Sequence, residues 1–156
     1  MAKAREIPGL DPGQPFAKAA AAVVATRAAE VIESADGVLD LDDVERVHAM
    51  RVATRRLRAS LEVFASCFDP DRFEVALRDV KALADALGER RDRDVALLML
   101  EEFSGGLAAA DRRGIDRLAD EIRGEQRTAN EGLADALGGE RLSLLSRRLD
   151  DLVTAG

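Results

Sequence analysis

The sequence predicts an all-α protein, an antiparallel bundle of about six helices. Three observations carry that expectation. Apolar residues recur at spacings of three and four along most of the chain, and no stretch shows the alternation of a half-buried strand. Aromatic residues make up only 3% of the 156 residues, with no Trp and no Tyr, so Ala, Leu and Val must form the core, which suits close helix packing. Gly and Pro fall between the periodic stretches, as short connections between antiparallel neighbours require.

Residues 1–14 read as a flexible lead-in, because Pro8-Gly9 and Pro12-Gly13 are turn pairs. A single helical domain then spans 15–156. The first helix covers about 15–34, with Ala19, Ala20, Val23, Val24, Ala28, Val31 and Ile32 on its apolar face and Gly37 beyond its end. The second covers about 41–68, with Asp40, Asp42 and Asp43 near its positive dipole end. Met50, Leu57, Leu61 and Phe64 share one side of it. Asp69 as cap and Pro70 at the first helical position start a third helix over about 70–87. Gly88 is expected to interrupt. A fourth helix, capped by Asp92 or Asp94, then carries Val95, Leu98, Met99 and Phe103 to Gly105-Gly106. A fifth runs over about 111–137 and a sixth over about 140–153, the latter with Leu142, Leu145, Leu149 and Leu152 in register.

Composition narrows the function. Hydrophobic residues at 47% and charged residues at 34% describe a folded, soluble chain. The net charge of -7 argues against general binding to DNA or membranes, and the scarcity of aromatics removes most platforms for stacking bases. Nucleic acid is therefore a weak option as partner. No stretch reaches the roughly 18 apolar residues of a membrane span. The lone Cys67 fits a reducing compartment, and the expectation is a cytoplasmic protein. One His and one Cys cannot build a His- or Cys-rich metal site, and no phosphate loop or nucleophile elbow is present. The pairs Glu101-Glu102 and Asp92/Asp94 read better as helix surface and cap than as ligands. No catalytic residue, metal or cofactor is expected.

Against the acidic background stands one basic block. Between Arg46 and Leu61 there is no acidic residue, while His48, Arg51, Arg55, Arg56 and Arg58 all fall there. On a helix His48, Arg51, Arg55 and Arg58 form one stripe beside the apolar one, and Arg56 points about a quarter turn away. Guanidinium forks meet phosphate oxygens two at a time and remain charged at any relevant pH. Successive members stand roughly 5 to 6 Å apart, so the row suits a linear phosphate polyanion. The plain alternative is a solvated face paired with carboxylates from neighbouring helices, of which the chain has 30 acidic residues to offer.

The stretch VHAMRVATRRLRASLEVF resembles the signature of the CHAD family, the conserved histidine α-helical domain. His48, Arg51-Val52, Arg55-Arg56, Arg58 and Phe64 match its first block. Lys81, Leu87-Gly88 and Arg91-Asp92-Arg93-Asp94-Val95 match a second. The resemblance implies an all-helical module that binds inorganic polyphosphate through basic residues lining a channel, and that is not itself an enzyme. Some members work beside triphosphate-tunnel phosphatases or associate with polyphosphate granules, and the family was once suspected of binding metal through its histidines. On this reading Lys81, Arg90 and Arg91 join the row on the second helix.

Family members commonly carry two similar four-helix halves, the second with its own basic block ending in Arg-Tyr. This chain has no Tyr and resembles the first half. A homodimer completing the channel through a two-fold axis, a missing second half, and a weakly binding degenerate form all remain open. Two other function classes stand beside the polyphosphate module. One is a scaffold whose arginines pair with acidic groups. The other is an accessory domain of an enzyme acting on polyphosphate or triphosphate.

Overall fold

The computed structural model describes residues 4–154. Among them are five α-helices and no strand: α1 Phe16–Glu33, α2 Val44–Val63, α3 Pro70–Ser104, α4 Ala109–Leu137 and α5 Arg141–Thr154. A single 3-10 turn, Ala65–Cys67, joins α2 to α3. The all-helical expectation holds. The helix count differs because the third and fourth helices of the sequence reading are one continuous helix of 35 residues.

Gly88 does not break α3. One glycine costs about 1 kcal/mol against alanine inside a helix. Here it sits among strong helix formers, Leu87 before it and Glu89, Arg90 and Arg91 after it, with no proline nearby. Neither Asp92 nor Asp94 therefore acts as a cap. Asp92 lies on the exposed surface of α3, and Asp94 is buried in its interior. The start of α3 is as the sequence reads it: Pro70 occupies the first turn, and the Asp69 carboxylate accepts the Arg72 amide at 3.0 Å.

The core forms where the apolar stripes meet. Val24 and Val31 of α1, Val47, Met50, Leu57 and Leu61 of α2, and Val80 and Leu87 of α3 are fully buried together with Leu133, Leu149 and Leu152 of α4 and α5. Each such side chain contributes roughly 1.5–3 kcal/mol by leaving water. Helix α3 is the hub, packing on α2, α4 and α5, while α1 bridges α2 and α5. Beyond Asp94 no described residue of α3 is buried, and before Ala119 none of α4 is. The upper parts of α3 and α4 thus stand out as a hairpin. Its α3 side carries Val95, Met99 and Phe103 at intervals of one turn, with Met99 64% and Phe103 61% exposed.

The lead-in is not helical, and part of it is strapped to α1. The Arg5 amide donates to Glu30 at 2.7 Å, its guanidinium pairs with Glu33, and Arg27 donates to the Arg5 carbonyl at 3.0 Å. Residues 1–3 and 155–156 lie outside the described residues.

Candidate anion-binding groove

The groove begins with the register of α2. Its apolar stripe of Val47, Met50, Leu57 and Leu61 is held against the core, and that fixes the roll of the helix. Arg51, Arg55 and Arg58 then fall on the flank turned toward α3. The two helices run antiparallel. Arg91 of α3 donates to the carbonyl of Val44 at 3.2 Å, at the start of α2. Lys81, ten residues earlier, acts on Glu62 at the other end.

Between them lies a groove of about 560 Å³, lined by Arg51, Arg55 and Arg58 from α2 and by Ala84, Asp85, Gly88, Glu89 and Asp92 from α3. One wall is cationic, the other anionic, and Ala84 and Gly88 keep the α3 side low between its carboxylates. Arg58 is tied along its own helix to Glu62 at 2.9 Å. That hydrogen bond and the charges of Arg58 and Lys81 hold the Glu62 carboxyl below its usual range, against a smaller upward push from burial. Arg51 and Arg55 form no ion pair with another described residue. Neither do Asp85, Glu89 and Asp92. The walls face one another without closing into salt bridges.

The remaining residues singled out from the sequence are dispersed. His48 is half-buried one turn before Arg51 and does not line the groove. Arg56 is half-buried and turned toward α1, as its quarter-turn offset requires. Burial pushes the Glu30 carboxyl up, but the Arg5 amide, Arg27 and the charge of Arg56 outweigh it and hold Glu30 below its usual range. Lys81 is exposed on the groove face of α3, one turn before Asp85. Arg91 keeps only 15% of its side chain exposed and anchors α3 to the first turn of α2, with Glu45 at 3.9 Å.

Arg90 is placed least like a surface ligand. It is 0% exposed, on the side of α3 opposite Asp92, and paired with Asp94 one turn on. Gln126 of α4 donates to the same Asp94 oxygen at 2.7 Å. A buried guanidinium is tolerable only with such a partner. This cluster joins α3 to α4 at the base of the hairpin.

The acidic wall is what the sequence reading left out. Asp85, Glu89 and Asp92 share one face only if α3 continues through Gly88, and a break there hides the stripe. Their spacing of four and three was the signal. Among the described residues no group of three or more His, Cys, Asp or Glu side chains stands close enough to hold a metal ion. No helix of the described residues is long and apolar enough to cross a membrane.

A helical bundle whose second helix presents a row of arginines across a groove from carboxylates of the third defines the class of this protein. The model of the CHAD domain matches residues 22–156, which is most of the chain. The chain belongs to the CHAD domain family. A search of curated proteins gives no match.

Proposed function

We propose that the chain is a binding module for inorganic polyphosphate, seated on Arg51, Arg55 and Arg58, and not an enzyme. The observation that carries this reading is the open groove in which Arg51 and Arg55 are uncommitted to any described carboxylate. Membership of the CHAD family, which is linked to polyphosphate and triphosphate binding, supports it. Lys81 extends the row past Asp85, and His48 and Arg91 lie beyond its other end. Arg90 contributes indirectly, by balancing Asp94, which accepts from Gln126 of α4, and Arg56 by its charge beside Glu30. The lone free Cys67 suits a cytoplasmic site of action, in the vicinity of polyphosphate granules.

Binding through three guanidinium groups should weaken with salt by counterion release, with a log–log slope of roughly 2 to 3 by analogy with nucleic acids. The test is a titration of long-chain polyphosphate over a range of salt. The reading fails if affinity ignores salt, or survives Arg55→Glu combined with Arg58→Glu.

A second reading is a protein-interaction scaffold. The exposed stripe of Val95, Met99 and Phe103 favours it. A second copy of the chain, brought in by that stripe, is the partner we propose. A mass measurement in solution, with and without polyphosphate, tests it: a monomer at all working concentrations removes the homodimer.

A further inference from the structure

We propose that Asp85, Glu89 and Asp92 decide which polyanion the groove admits: they turn away broad ones, such as duplex nucleic acid, and leave space for a single file of phosphates. The inference rests on the reading of the groove as a polyphosphate site.

The two walls carry equal numbers of opposite charges, three guanidinium groups against three carboxylates. Seen from beyond the width of the groove their fields cancel, and what remains is the net charge of -7 of the whole chain. Ionic screening at physiological salt, with a length of about 8 Å, keeps any partner from sensing the arginines until it is inside. Only a ligand narrow enough to lie against α2 meets the forks at hydrogen-bond distance while the carboxylates stay across the groove.

Width then becomes the criterion. Packed helices stand roughly 8–10 Å apart axis to axis. The major groove of B-DNA alone is about 12 Å wide. A duplex must therefore straddle both walls, and its phosphates meet carboxylates as often as guanidinium groups. A polyphosphate chain is one tetrahedral phosphate across and carries no bases or sugars. It can follow Arg51, Arg55 and Arg58 along a floor kept low by Ala84 and Gly88, where a Cβ on Gly88 would meet nothing within 4 Å. Specificity of this kind comes from a repulsive element set beside an attractive one.

The experiment compares the full chain with the exposed, near-isosteric variant D85N/E89Q/D92N. Affinities for long-chain polyphosphate and for a short DNA duplex are measured at matched salt. A second variant, E121Q/E131Q/D135N, makes the same change in net charge on the exposed surface of α4. Each neutralised carboxylate across the groove should raise polyphosphate affinity by about twofold. Duplex affinity should rise further, so that the preference for polyphosphate falls by about tenfold or more in the groove variant and is retained in the α4 variant. Three outcomes overturn the inference alone: wild-type chain that binds both polyanions equally, a groove variant with unchanged preference, or an α4 variant that loses preference to the same degree. Wild-type chain that binds no polyphosphate at any salt overturns the functional reading, and this inference with it.

Discussion

Gln126 of α4 and Asp94 of α3 are joined by a 2.7 Å hydrogen bond beneath the surface, and Arg90 completes the cluster from its own helix. Removing either charged member, Arg90 or Asp94, leaves the other buried without its counterpart. Asp94→Ala should destabilise the protein by roughly 3–5 kcal/mol, because the Arg90 guanidinium stays buried. For a chain of this length the melting temperature should fall by roughly 10 °C or more. Replacing both partners, Arg90→Met with Asp94→Leu, should cost much less. A double variant as unstable as Asp94→Ala would show that the pair matters for more than charge balance.

Gly88 separates the stability of α3 from the space in the groove. A Cβ there meets nothing within 4 Å, so Gly88→Ala should stabilise the helix by about 0.5–1 kcal/mol and leave binding nearly intact. Gly88→Leu keeps the helix but fills the space opposite the arginines. It should weaken polyphosphate binding at least tenfold (about 1.4 kcal/mol) without lowering the melting temperature. Equal binding by both variants would place the ligand elsewhere.

Glu62 competes with any anion for Arg58. Glu62→Gln removes that competitor and should raise polyphosphate affinity a few-fold, while thermal stability barely moves because the pair is exposed. Unchanged affinity would mean that Arg58 does not touch the ligand.

Glu30 sets an acid limit. Its carboxyl is held below the ordinary value of about 4.3 by Arg5, Arg27 and Arg56, which outweigh its burial. A carboxyl with a depressed folded-state value contributes stability above its unfolded value, and loses it as the pH falls through the folded one. Melting temperatures of the wild type and Glu30→Gln should differ at neutral pH and converge in acid. A constant gap from pH 7 to pH 3 would assign the effect of the substitution to packing.

Most of the fold is written in periodicity. The cap at Asp69-Pro70, the inward stripe of α2 and the leucines of α5 follow from residue type and spacing alone. The continuity of α3 does not, because a glycine weakens a helix by an amount that flanking residues and packing readily outweigh. That one misplaced boundary hid two things. It hid the acidic stripe that forms the second wall, and it gave Asp94 the role of a cap when it is a buried counter-ion. On α2 the row was legible, since only the core stripe was needed to fix where Arg51, Arg55 and Arg58 point. Arg90 was not, because adjacent arginines look alike in sequence, while the helix pairs Arg90 with the buried Asp94 and sends Arg91 to the first turn of α2.

The uninterrupted length of α3 also links two surfaces. From Asp85 in the groove to Phe103 near the hairpin tip is 18 residues of one rod, roughly 27 Å. No break in the helix separates the two, so the acidic wall of the groove and the exposed apolar stripe belong to one continuous element.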